Sequence, residues 1–181
     1  MRGQSTPMAG AHGQGVMAGF DLMFIDMMIP HHQEAVDMAT VVLLRSTNPE
    51  VRDLAEAIIT AQNTEIALMN DWRAAWYPDA GTPTPFSDGM GMMAGGAGMM
   101  MMPPGEMLTD LCESPDIDLA FLELMIPHHE SAIVMAEVAL TNAEHDELVN
   151  LAEAILATQS AEIDLMRNVI AQLSGTPVAS N

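Results

Sequence analysis

One five-residue motif occurs twice in the chain, and no other feature constrains the fold as strongly. Met-Ile-Pro-His-His at residues 28–32 recurs unchanged at residues 125–129. The match extends to both sides, because the segments that begin at Asp21 and Asp118 align with a constant offset of 97 residues (118 − 21) and without a gap. Self-similarity at one offset indicates an internal duplication in which each copy forms one structural unit.

Each copy is predicted to form two antiparallel helices. In the first copy they span about 21–45 and 49–76, with Asn48 as the cap and Pro49 at the first helical position of the second helix. In the second copy, Ser114 and Pro115 open a helix that runs to about residue 141, and the last helix reaches about residue 174. Four long helices in two hairpins predict an all-α four-helix bundle.

A proline lies inside the first helix of each copy, directly before the two histidines. Pro30 and Pro127 each remove one backbone hydrogen bond, which predicts a bend at this point. The alternative is that each proline starts a new helix at its first position.

The duplication divides the chain into a lead-in (1–17), a first hairpin (18–77), a linker (78–113), a second hairpin (114–175) and a tail (176–181). The linker is rich in Met, Gly and Pro, and its glycines predict a segment with neither helix nor strand. Both hairpins are expected to share one bundle.

Charge and cysteine content exclude several classes of protein. A formal net charge of −20 with no lysine argues against nucleic-acid binding, whereas an acidic surface favours cations or solubility. No stretch approaches the roughly 20 apolar residues of a membrane span. Cys112 is the only cysteine, which rules out an intrachain disulfide and the thiolate clusters of structural zinc and iron–sulfur sites.

The apolar stripes of the helices contain polar residues. Helical periodicity places both histidines on the stripe of the first helix, and it places Gln62 and Glu65 on that of the second. The second copy has Gln159 and Glu162 at the equivalent positions. Because a buried carboxylate without a partner is costly, each glutamate should meet a histidine of its hairpin or a metal.

The histidines and methionines of these stripes are the candidate metal ligands. They are Met28, His31, His32, Met38 and Met69 in the first copy, and Met125, His128, His129, Met135 and Met166 in the second. Thioether is soft and selects Cu(I), while imidazole binds either oxidation state of copper. Glu65 and Glu162 are predicted to orient imidazole N–H groups behind the ligands. The alternative is that these residues only fill the core.

The linker methionines form a second candidate site. The chain has 19 methionines, and eight of them fall in the linker: Met90, Met92, Met93, Met99, Met100, Met101, Met102 and Met107. In an exposed segment with no core to fill, thioethers are an oxidation liability, so weak capture of Cu(I) or Ag(I) is the predicted use. Low-complexity drift is the alternative.

The motif MIPHH, followed by AVDMA or AIVMA, LAEAI and Gln-x-x-Glu-Ile, resembles domain-of-unknown-function family 305. The resemblance covers both copies. It implies a ferritin-like four-helix bundle, export to the bacterial periplasm or cell surface, and copper handling through the histidines and methionines named above. The N-terminus lacks the apolar core of a signal peptide, so an exported protein would be represented by its mature form.

The resulting prediction is a copper-binding protein that captures or buffers Cu(I) or Cu(II) and is not an enzyme, with a homo-oligomer or a copper-accepting protein as further partners. A ferritin-like di-iron or di-manganese oxidase is one alternative, but such sites use Glu-x-x-His motifs that these stripes lack. A helical interaction module without metal is the other, with the His–Glu pairs as a buried polar network.

Overall fold

The computed structural model describes residues 18–82 and 105–175, and all regular secondary structure in these ranges is helical. The five helices are α1 (Ala18–Arg45), α2 (Pro49–Trp76), α3 (Glu106–Glu113), α4 (Ile117–Asn142) and α5 (Asp146–Leu173). Helices α1 and α2 pack as one hairpin, and α4 and α5 pack as the other. The predicted all-α class, with paired hairpins in a ferritin-like bundle, is confirmed.

Local capping explains the turn of the first hairpin. The Asn48 side chain accepts a hydrogen bond from the backbone N–H of Glu50 (3.0 Å), and Pro49 occupies the start of α2, as predicted. Arg52 donates to the carbonyl oxygens of Leu43 (2.6 Å) and Ser46 (3.1 Å), which lie at or just beyond the end of α1, where carbonyls lack helical partners.

Helices α1 and α4 both continue through their internal prolines, Pro30 and Pro127. The alternative in which each proline starts a new helix is therefore wrong. The continuous helices carry each histidine pair at mid-length, one turn or less beyond the proline.

Residues 106–113 form α3 within the segment predicted to lack helix, so that prediction is wrong for these eight residues. Met107 and Leu111, one turn apart, are buried in the core, and this packing stabilises a helix too short to persist alone. Met107 therefore does fill the core, contrary to the expectation for linker methionines. The other seven linker methionines, the lead-in and the tail beyond residue 175 lie outside the described residues.

The start of α4 also differs from the prediction. Ser114 ends α3, and α4 begins at Ile117 with Asp116 as its cap. The Asp116 side chain accepts a hydrogen bond from the Leu119 N–H (3.1 Å), which supplies the capping signal that Ser114 and Pro115 were expected to give.

A polar layer, formed by the buried side chains of His31, His32, His128 and His129, divides the hydrophobic core into two clusters. The first cluster contains residues 35–42 of α1 with residues 121–125 of α4, and the second contains residues 20–28 of α1 with residues 132–139 of α4. Helices α1 and α4 are therefore antiparallel neighbours, and their histidine pairs meet at the same level between the clusters. Gln62 and Gln159 are also buried.

Between the two hairpins, α1 and α4 pack closely against each other, whereas α2 and α5 make few contacts. An open groove of about 930 Å³ separates α2 from α5, and its walls include Glu56, Glu65, Trp72 and Glu147. Within the described ranges, no helix combines the length and the apolar character needed to cross a membrane.

Candidate metal centre

The four motif histidines form a continuous row across the bundle. The rings of His31 and His128, which belong to different hairpins, are in contact with centroids 3.8 Å apart. His32 and His129 flank them at 6.2 and 6.3 Å from His31 and His128, respectively. All four residues are at most 4% exposed. The α1–α4 packing thus brings together residues that lie almost 100 positions apart in the sequence.

The two outer histidines are each held by a glutamate of the same hairpin. His32 Nε2 lies 2.6 Å from Glu65 Oε2, and His129 Nε2 lies 2.8 Å from Glu162 Oε2. A carboxylate accepts this bond, so Nε2 carries the proton and Nδ1 of the neutral ring keeps a lone pair. Carboxylate–imidazole pairs of this kind orient metal-ligating histidines in proteins.

The inner His31 is held by a serine of the other hairpin. The Ser131 hydroxyl donates to the His128 carbonyl oxygen (2.7 Å), so its oxygen is available to accept the Nε2–H of His31 at 2.7 Å. In this arrangement Nε2 is again the protonated nitrogen, and Nδ1 of His31 keeps the lone pair.

The inner His128 has a looser partner. Glu34 occupies the position equivalent to Ser131, and its Oε2 lies 3.8 Å from His128 Nε2, beyond hydrogen-bond distance. Glu34 and Ser131 are not among the residues that the sequence analysis singles out. Their position three residues after the first histidine of each motif, on the same helical face, is the signal that points to them.

The Nδ1 atoms of all four histidines are buried and have no hydrogen-bond partner within residues 18–82 and 105–175. Leaving such nitrogens without a partner costs free energy unless something binds them. Each of these neutral imidazoles therefore has a lone pair that is available to a metal ion.

The inner pair is neutral at physiological pH. Burial, followed by the proximity of His128 and the outer histidines, holds the pKa of His31 well below its ordinary value. Burial, followed by His129 and His32, lowers the pKa of His128 to about 3. Protons therefore do not compete for these nitrogens near pH 7, which keeps the lone pairs available to a cation.

The candidate methionines lie in the core on both sides of the histidine layer. Met28 and Met69 belong to the cluster that Met135 packs against, and Met38 belongs to the cluster of Met125 and Met166. Five of the six are fully buried, whereas Met135 is half-buried. The sequence repeat grouped Met38 with Met28 and Met69, but the antiparallel packing groups it with methionines of the second hairpin.

Among the described residues, no three His, Cys, Asp or Glu side chains converge in a geometry that would hold a metal ion. Cys112 is exposed on α3 and is not part of the histidine row. Methionine thioethers border the histidine row on both sides, and imidazole with thioether is a donor combination that suits copper or silver.

Glu65 can be reached from outside the bundle. It lines the groove between α2 and α5, where it is 15% exposed, while its partner His32 is fully buried. Glu56 and Glu147 line the same groove, so the approach to the centre on this side is acidic and favours cations.

Fold and site together define a bundle of two helical hairpins with a buried histidine row bordered by methionine-containing cores. The chain belongs to the family described as Domain of unknown function (DUF305), whose model matches residues 21–170. The resemblance stated from the MIPHH motifs is thereby confirmed.

Similarity to solved structures supports the same family assignment. The chain is similar to CopM in its Cu(II)-bound form, with 37% identity, a TM-score of 0.70, and coverage of 84% of this chain and 97% of that one. CopM is also known in Cu(I)-bound and Ag-bound forms. A DUF305 protein from Streptomyces coelicolor, assigned to the secreted proteins, has 26% identity and a TM-score of 0.74 over 90% of this chain and 98% of its own.

An uncharacterised protein of Acanthamoeba polyphaga mimivirus is 38% identical over 50 residues. The match spans 28% of this chain and about a third (33%) of the viral protein.

Proposed function

We propose that this chain is a copper-binding protein of the bacterial cell envelope that captures or buffers Cu(I), and also takes up Cu(II), without catalysing a reaction. The observation that carries the proposal is the row of four buried histidines whose Nδ1 atoms lack partners among the described residues. Three of the four Nε2 atoms hold their protons in short hydrogen bonds to Glu65, Glu162 and Ser131, which leaves Nδ1 as the donor.

The proposed ligands are the four histidines together with methionines of the adjoining core clusters, and Cu(I) is the favoured ion because thioethers prefer it. The similarity to CopM, which is known with copper and with silver bound, supports this choice. The secreted assignment of the Streptomyces relative supports an extracytoplasmic location.

An anaerobic competition titration of Cu(I) against a chromophoric chelator tests the proposal. Three proteins are compared: the intact chain, a variant with His31, His32, His128 and His129 changed to alanine, and a variant lacking residues 90–102. The deletion stops before Met107 because that side chain packs in the core.

Tight binding by the intact chain that is lost only in the histidine variant supports the proposed centre. Binding that is lost only with residues 90–102 would leave the histidines as core residues, and it would move the copper site to the methionine-rich segment. If none of the three proteins competes with the chelator, the copper function is wrong.

A further inference from the structure

Helix α3 is attached to α1 at both of its ends. At its start, the backbone N–H of Gly105 donates to Glu34 Oε1 (3.0 Å). At its end, Arg45 donates to the carbonyl oxygens of Cys112 (2.9 Å) and Ser114 (3.0 Å). Glu34 and Arg45 are eleven residues apart, which is three turns, so they lie on one face of α1.

The charges of this clamp match the dipole of α3. An acidic side chain meets its N-terminus, and a basic side chain meets its C-terminus. Gly105, whose N–H donates to Glu34, has a φ of +89°, a conformation that favours glycine. Met107 and Leu111 supply the apolar contacts beneath the helix.

Glu34 also faces the histidine row. While one carboxylate oxygen accepts the N–H of Gly105, the other lies 3.8 Å from His128 Nε2. A carboxylate can accept hydrogen bonds at both oxygens, so the two contacts do not exclude each other. One side chain thus touches both the start of α3 and a candidate ligand of the metal centre.

We propose that Glu34 is a positioning residue that couples metal loading of the histidine row to the docking of α3 on α1. This inference rests on the proposed copper function. When His128 binds the metal through Nδ1, its proton resides on Nε2, which then donates to Glu34. That bond fixes the carboxylate in the orientation that holds Gly105, so loading tightens the docking of α3.

The coupling is confined to one hairpin junction. Ser131, at the position equivalent to Glu34, bonds to His31 and to the His128 carbonyl, and the described structure shows no hydrogen bond from it to α3. Of the two equivalent residues, Glu34 is therefore the one that has a hydrogen bond to the start of α3.

Hydrogen exchange of the α3 amides, measured by mass spectrometry on the full chain with and without anaerobic Cu(I), tests the proposal. In the wild-type protein, Cu(I) should slow exchange in α3 by about 5-fold or more beyond the change seen in α2. In Glu34→Ala this additional protection should be lost. By thermodynamic reciprocity, the affinity for Cu(I) should fall by the same factor.

Two further variants separate coupling from general loosening. Glu34→Gln has the same size and keeps an acceptor for Gly105, so α3 should remain docked without metal while the additional protection is largely lost. Arg45→Gln removes the other end of the clamp without touching the histidines, so α3 should exchange faster in both states and retain its response to Cu(I).

An equal response of α3 in the wild type and in Glu34→Ala would overturn the coupling, as would Cu(I) binding to the wild type without additional protection of α3. Absence of Cu(I) binding to the wild type would instead overturn the proposed function, and the coupling with it.

Discussion

His31 and His128 combine ring contact, nearly complete burial and neutrality, and this combination makes the metal-free protein sensitive to acid. In the unfolded chain each histidine takes up a proton near pH 6.5. In the folded chain, burial and the neighbouring histidines keep the pKa of His31 well below that value and lower the pKa of His128 to about 3. The unfolded state therefore binds more protons than the folded state below pH 6.5.

The free energy of unfolding should consequently be highest above about pH 6.5 and should fall as the pH drops toward about 3. Well below pH 6.5, each of the two histidines contributes a slope of up to about 1.4 kcal/mol per pH unit as long as the pH stays above its pKa in the folded state. Urea denaturation of the metal-free protein at pH 7.5, 6.5 and 5.5 measures this dependence. A double variant, His31→Gln with His128→Gln, should show a shallower dependence, and an unchanged slope would contradict the assigned neutrality.

Glu65 offers a test of how the outer histidines are oriented. Changing Glu65 to Gln weakens the acceptor for His32 Nε2–H, and losses of outer-shell partners typically reduce metal affinity about 10- to 100-fold. Glu56→Gln is the matched control, because Glu56 lines the same groove but has no hydrogen bond or ion pair with a histidine in the described structure. Competition titrations of both variants should show a loss of Cu(I) affinity for Glu65→Gln alone.

A capping interaction at one end of the bundle joins α1 of the first hairpin to the start of α5 in the second. His145, the cap residue of α5, makes no side-chain cap bond. Instead Asp21 of α1, fully buried, accepts hydrogen bonds from the N–H groups of Glu144 (3.0 Å) and His145 (3.0 Å) and from His145 Nδ1 (2.7 Å). The His145 ring in turn stacks on Trp76 of α2 at 3.7 Å.

Replacing Asp21 by Ala leaves these donors without an acceptor and should lower the free energy of unfolding by about 1 to 3 kcal/mol. Asp118 is the equivalent residue of the second copy and serves as the matched control. Its Oδ1 is buried without a partner in the described part of the chain, while Asn48 already caps α2 locally. Asp118→Ala should therefore change stability little or raise it, as measured by urea midpoints of both variants.

The accuracy of the sequence-based predictions depended on whether the stabilising contacts were local. The start of α2 was predicted correctly because Asn48 and Pro49 cap it within the same segment. Helix α3 was missed because its stability comes from Glu34, Arg45 and the core, which are distant in sequence. The sequence of residues 106–113 alone does not indicate that these contacts form.

In the candidate site too, the contacts within one hairpin were predictable and those between hairpins were not. The contacts of Glu65 with His32 and of Glu162 with His129 lie within one hairpin, and a buried carboxylate on an apolar stripe is enough to anticipate them. The contact between His31 and His128 requires α1 to pack antiparallel on α4. The helical periodicity of a single hairpin carries no information on that packing, so the regrouping of Met38 with Met125 and Met166 was not predictable either.

Across the whole molecule, the histidine row joins the two hairpins. The row crosses from α1 to α4 through the contact of His31 with His128 and the bond of His31 to Ser131. The methionines on either side of the row also come from both hairpins. A metal ion bound by both inner histidines would therefore take ligands from both hairpins.

Two variants that each lose one histidine pair distinguish a shared centre from independent ones. In one, His31 and His32 are changed to Ala; in the other, His128 and His129 are. Because the inner rings are in contact across the hairpins, each variant should lose tight Cu(I) binding entirely in an anaerobic competition titration. Two independent sites would instead leave each variant with half of the wild-type stoichiometry at unchanged affinity. Circular dichroism of both variants checks that they remain helical, so that a loss of binding can be assigned to the donor set and not to unfolding.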